Sequence, residues 1–101
     1  MKWIEIITLR SNGNVRKSLI PEFLKPVTED KESSGLVSIK IYLNPWIDTD
    51  MSIHLRWESK RVEQRGSAIA LRLSHTLKEF GLINHSTWVE EASPLERAIS
   101  Y

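Results

Sequence analysis

The chain has 101 residues, 41% hydrophobic and 27% charged, with a formal net charge of +1 and no cysteine. That length suits one domain over residues 1–101 and is short for two. A charge so close to zero gives no electrostatic ground for a nucleic-acid or anionic-membrane surface, and the lack of thiols excludes disulfides and thiolate metal sites.

The N-terminal apolar run is broken by Glu5 and is followed by no small-residue cleavage site, so it does not read as a signal peptide. No apolar stretch nears the roughly 20 residues that cross a bilayer. A cytoplasmic protein with no membrane partner is the expectation.

Lys2 to Leu9 is rich in β-branched and aromatic residues on both sides, which predicts a central strand covered on both faces. Ser11–Asn14 is a turn, and Asn14 can cap a helix in which Val15, Leu19, Phe23 and Val27 recur at helical spacing. Pro21 should kink that helix and Pro26 should end it. After a charged loop closed by Gly35, Leu36 to Leu43 is a second strand.

Asn44–Asp50 carries turn residues and leads into Met51–Ser59, the clearest element of the chain. There Met51, Ile53, Leu55 and Trp57 alternate strictly with Ser52, His54, Arg56 and Glu58, the pattern of a strand with one apolar and one polar face. A hairpin with Leu43 opposite Met51 then pairs Ile41 with Ile53, Ile39 with Leu55 and Val37 with Trp57, so the apolar sets share a face.

Ser67 is placed to cap a helix over Ala68–Phe80, with Ile69, Leu73, Leu77 and Phe80 as its buried stripe and Gly81 as its terminator. Ile83 to Glu90 is the fourth strand, and Ser93–Pro94 can open a short C-terminal helical turn.

The order strand–helix–strand–strand–helix–strand predicts an α+β fold, a ferredoxin-like βαββαβ antiparallel sheet with two helices on one face. Right-handed crossovers put the first and third strands at the centre and turn the Trp57 face toward the helices. The opposite face, carrying Tyr42 with Trp88 or Ile6 among polar groups, is left for a second copy to cover.

Few residues suggest chemistry. Glu5 faces either the helices or a partner chain: as a buried base it is a candidate catalytic group, and paired with Arg56 across the central strands it is structural. His75, at the flank of the helical stripe, is either a surface histidine or a pocket acid/base. His54 and Arg56 read as interface groups. No histidine spacing suits a metal, so neither metal nor cofactor is expected. An RNA-binding domain shares the element order, but its stacking aromatics are replaced here by Ser52, His54 and Arg56.

Leu55-Arg-Trp-Glu-Ser59, a strand end that follows a strand and a Pro/Asp-containing loop, resembles the antibiotic biosynthesis monooxygenase family. The similarity covers Trp3 to Glu90 as an order of elements and Leu55–Ser59 as a motif. It implies a dimeric α+β barrel, two ferredoxin-like chains packed sheet to sheet, with a cavity between sheet and helices. In some members it implies cofactor-independent oxidation of aromatic compounds, and in others haem degradation.

Trp57 ends an apolar stripe and is either core packing or a pocket wall; it stands where the family often has a pocket-lining tryptophan, and that resemblance implies a partly open pocket walled by Trp57, Ile7, Leu55 and Leu73. The haem-degrading branch has a first-strand asparagine where Ile7 stands, and His75 is about one residue from its helical histidine, which argues against haem. Two functions follow as expectations. One is a homodimeric oxygenase-like protein acting on a small aromatic ligand, with His75 or Glu5 as polar contact. The other is a non-catalytic ligand-binding or interaction module of the same fold.

Overall fold

The computed structural model describes residues 1–13, 22, 24–25, 35–63 and 65–91. Four strands, β1 (Lys2–Ser11), β2 (Leu36–Leu43), β3 (Asp50–Glu58) and β4 (Gly81–Val89), form one antiparallel sheet in the order β2-β3-β1-β4. Between β3 and β4 runs helix α1 (Ala68–Leu77), which tightens into a 3-10 turn at Lys78–Phe80. This is the ferredoxin-like order, with β1 and β3 central as the crossovers require.

Of the first predicted helix, Glu22, Leu24 and Lys25 are helical, and Leu24 joins the core. The remainder, with its Pro21 and Pro26 features, lies outside the described residues, as does the predicted turn at Ser93–Pro94.

The alternation in β3 decides the layering. Met51, Ile53, Leu55 and Trp57 are buried with Trp3, Ile7 and Leu9 of β1 and with Ile69, Ala70, Leu73 and Leu77 of α1 in one core. Ser67 begins α1 as foreseen: its Oγ accepts a hydrogen bond from the Ala70 amide at 3.1 Å, meeting one of the helix's orphan donors. Phe80 packs on the core from its edge. Gly81 starts β4 directly, where any Cβ would run into the Arg10 carbonyl of β1.

The hairpin register is as expected at Leu43↔Met51, Ile41↔Ile53 and Ile39↔Leu55. It departs at the last pair: Leu36, not Val37, lies opposite Trp57, and Val37 is pushed out as the extra residue of a bulge, 55% exposed. Gly35 governs the irregularity. It has φ +99, its carbonyl receives the Glu58 amide at 2.7 Å, and a Cβ there would meet the Glu58 carbonyl at 2.8 Å.

Even-numbered positions of β1 and β3 point away from α1. Their face carries half-buried Ile4, Ile6 and His54, with Tyr42 of β2 and Trp88 of β4 exposed beside them. In the loop between β2 and β3, the Asn44 Oδ1 accepts from the amides of Trp46 and Ile47 at 2.9 Å each, which shapes the turn and leaves Trp46 exposed.

Candidate functional site

Glu5 is fully buried on the α1 side of the sheet, a position its strand dictates because Trp3, Ile7 and Leu9 share that face. It is not paired with Arg56. Register puts Ile4 opposite Arg56 and Glu5 opposite Leu55 and Thr87, so carboxylate and guanidinium leave the sheet on opposite faces.

The partners of Glu5 come from 62 and 80 residues away. Ser67 gives two hydrogen bonds, from its Oγ to Oε1 at 2.6 Å and from its amide to Oε2 at 3.0 Å. The Nε2 of His85 lies 2.7 Å from Oε2. A buried carboxylate needs this number of donors, and the amide at the start of α1 adds the positive end of the helix dipole. Gly66, at φ +97, lets the loop close over the pair: a Cβ there would lie 3.3 Å from the His85 Cε1 and 3.6 Å from the Glu5 Oε2.

The cluster therefore unites Glu5, which the sequence singled out, with His85 and Ser67, which it did not assign to a site. The available signal was strand parity. His85 and Thr87 fall on the inward side of β4, where a buried carboxylate on β1 can find a donor. His75, read as either a surface histidine or a pocket acid/base, is exposed in the last turn of α1, because the buried stripe there runs through Leu73 and Leu77.

The expected pocket between sheet and helices is filled at the residues meant to line it. Ile7 and Leu55 are 0% exposed and Leu73 3%. Trp57, at 7%, stacks on Trp3, while its Nε1 finds no hydrogen-bond partner among the described residues.

Hollow space lies instead on the open face, at both ends of the sheet. One hollow of about 340 Å³ is framed by Ile4, Arg56, Trp88 and the bulged Val37, and Trp57 borders it. The other, about 490 Å³, is framed by Thr8, Tyr42, Ser52 and Asn84 beside the Arg10–Asp50 pair.

That pair is held by three contacts between 3.1 and 3.4 Å, and the hydrogen bonds from Arg10 keep the Asp50 carboxyl below the usual carboxylate range. Between the hollows, burial lowers the pKa of His54, whose ring lies 4.4 Å from that of Tyr42 and 3.2 Å from the Ser52 hydroxyl. No group of His, Asp or Glu among the described residues could hold a metal ion.

Two solved structures share this architecture. Rv0793 from Mycobacterium tuberculosis matches 92% of this chain and 100% of its own with a TM-score of 0.62 at 18% identity. A Bordetella bronchiseptica structure named "Putative antibiotic biosynthesis monooxygenase" matches 88% of this chain and 98% of its own with a TM-score of 0.50 at 14% identity. The chain has the fold of the antibiotic biosynthesis monooxygenase-like proteins. The likeness is one of fold, and the Leu55–Ser59 resemblance agrees with it. Neither a protein-family model nor a curated relative matches the sequence. Among the described residues, no helix is long and apolar enough to cross a membrane.

Proposed function

We propose that the chain works as a homodimer whose sheets meet by their open faces, and that it holds a small aromatic compound in the hollow beside Trp88. The observation that supports this reading is the hollow itself, which opens on the face turned away from α1. The Trp88 Nε1 donates to the Ser86 Oγ at 2.9 Å, so the indole is oriented and its π-face is left for a ligand ring. Arg56 supplies a planar cation for an oxyanion or carboxylate on that ligand. A volume of about 340 Å³ lies at the small end of ligand sites, and a second copy on this face would close it.

A panel of small phenols and quinols, scored by thermal shift and by tryptophan fluorescence, tests the ligand. Binding lost in Trp88→Ala and kept in His75→Gln supports the reading. No response across the panel removes it.

A second reading, oxidation without a cofactor, is favoured by the histidine backed by a buried carboxylate. In such a reaction an activated methylene becomes a carbonyl, taking one atom of dioxygen while the other leaves as water. Oxygen uptake with a phenol or quinol, lost in His85→Gln, supports it. Binding without uptake leaves the binding module.

A further inference from the structure

Register divides the open face into chemically different ends. Ile4, Val37 and Trp88 stand around the hollow at one end. At the other, strand parity and pairing bring side chains into two ranks. Tyr42, Ser52, Thr8 and Asn84 align across β2, β3, β1 and β4 in the first. Asp50, Arg10 and Leu82 form the second, about 7 Å further along the strands. Both ranks frame the hollow of about 490 Å³, a volume in the range of ligand sites. Of these side chains only Leu82 is aliphatic. The core of an interface between copies is depleted of charged residues, so this end does not suit the packed centre of one.

The polar groups here are held before any ligand arrives. Arg10 donates from Nε and Nη2 to Asp50, and the Thr49 hydroxyl donates to the same carboxylate at 3.1 Å. Two of the five guanidinium N–H groups are then engaged, and three donors meet a carboxylate with about four acceptor sites. The pair keeps N–H groups to give and a lone pair to receive on neighbouring atoms, with no net charge. The Thr8 hydroxyl donates to the Asn84 carbonyl at 3.5 Å, while the Asn84 side chain is exposed on the open face. The Tyr42 ring, 48% exposed, ends the rank with one side against His54.

We infer that this hollow is a binding site for a neutral disaccharide, with the Arg10–Asp50 pair on adjacent hydroxyls, Asn84 on another and the Tyr42 ring against a sugar C–H face. An anion would meet Asp50, a cation would meet Arg10, and an apolar ring would desolvate both without replacing their hydrogen bonds. A sugar hydroxyl both donates and accepts, which neighbouring N–H and carboxylate groups require. Sugar C–H bonds carry a slight positive charge and suit the negative face of an aromatic ring. The backbones of Tyr42 and Asn84 stand three strand spacings apart, about 14 Å, a width for two linked rings. The site goes beyond the aromatic-ligand reading, since it needs neither Trp88 nor a second copy.

The test is amide NMR of the full chain titrated with maltose, cellobiose, lactose and trehalose, with cyclohexanol and a glucose phosphate as controls. At least one disaccharide should give saturable shifts centred on the two ranks. Arg10→Gln and Asn84→Ala should each weaken its binding by about fivefold or more, the loss of one hydrogen-bonded contact, with the rest of the spectrum in place. Tyr42→Phe, which keeps the ring, should weaken it less than Tyr42→Ala, and Trp88→Ala should bind as wild type. The inference is overturned by no saturable shift with any disaccharide, by shifts centred on Trp88, by equal shifts with cyclohexanol, or by tighter binding of the glucose phosphate. Affinity unchanged in both Arg10→Gln and Asn84→Ala overturns it as well. Failure of the phenol panel bears on the hollow beside Trp88 alone, because no phenol enters this experiment.

Discussion

The indoles of Trp3 and Trp57 lie face to face across the β1–β3 pair, their centroids 5.3 Å apart and their planes 13° from parallel. Each closes one end of the core for the other. The Trp3 Nε1 donates to the Ser59 Oγ at 2.8 Å, whereas the Trp57 Nε1 is buried without a partner among the described residues. Trp57→Ala should cost about 3–5 kcal/mol in urea unfolding, as for other buried aromatics cut to alanine. Trp57→Phe should cost clearly less, because it also removes an unsatisfied donor. A double-mutant cycle with Trp3→Ala should show coupling of about 0.5–1.5 kcal/mol from the stack. A Trp57→Ala protein as stable as wild type would show that this end of the core is not packed.

Leu55 and Leu73 face each other's elements from the two halves of the core, at 0% and 3% exposure. Truncating either to alanine should destabilise by about 2–5 kcal/mol. Ser52→Ala, on the other face of the same strand, should change stability little. Reversal of that order in denaturant titrations would place the buried face of β3 on the wrong side.

What the sequence disclosed followed from regular alternation. In β3 the apolar residues fall on one side only, so the buried face and three hairpin pairs were legible. Val37 was not, because the bulge depends on Gly35 approaching the Glu58 backbone rather than on any side-chain pattern. β1 is apolar on both sides, so nothing local could decide where Glu5 points. Its partners, Ser67 at a helix cap and His85 on an edge strand, are gathered beside the loop glycine Gly66 only by the tertiary structure. The expected pocket failed for a related reason. Ala70 of α1 is 0% exposed, so a small side chain in the helix leaves no room there: the core packs against it.

Ser67 joins two functions in one side chain, capping α1 and donating to a sealed carboxylate. Ser67→Ala should therefore cost more than an ordinary cap, about 2–3 kcal/mol, since the lost cap and the under-satisfied Glu5 add. Ser67→Ala combined with Glu5→Gln should recover part of that loss, because a neutral amide needs fewer donors. Thermal unfolding of the three variants measures it. Strict additivity of the two substitutions would mean Ser67 acts only as a cap.

Arg10 and Asp50 close the opposite end of the sheet as an exposed pair. Arg10 lowers the Asp50 pKa in the folded state, so the pair's contribution is fully present above the ordinary carboxylate range. It is lost as pH falls through the depressed folded value. Asp50→Asn should flatten the stability profile in that acid window by lowering stability slightly at neutral pH while leaving low pH unchanged, and added salt should mimic it. Melting temperatures across an acid titration check the sign. An acid slope unchanged in Asp50→Asn would assign it to other carboxylates.

The open face makes the remaining prediction. Ile6, His54 and Lys40 cross its middle in one row, with Tyr42 against His54 and the two hollows on either side. A second copy covering this row should bury about 1,000 Å² or more in total, the scale of a specific interface. Light scattering at micromolar concentration should give twice the chain mass, and Tyr42→Asp or Ile6→Asp should shift the protein toward monomer. Acid should do the same. Burial already lowers the His54 pKa, so the folded chain binds fewer protons there than an exposed histidine would. Closing the interface beside Lys40 disfavours the charged form further. The associated state then gains stability as pH rises through the histidine range and loses it as pH falls. His54→Gln should make the dissociation constant independent of pH in that window. A protein that stays monomeric at high concentration removes the homodimer. A dimer indifferent to both aspartate substitutions and to acid means that the copies meet by some other surface.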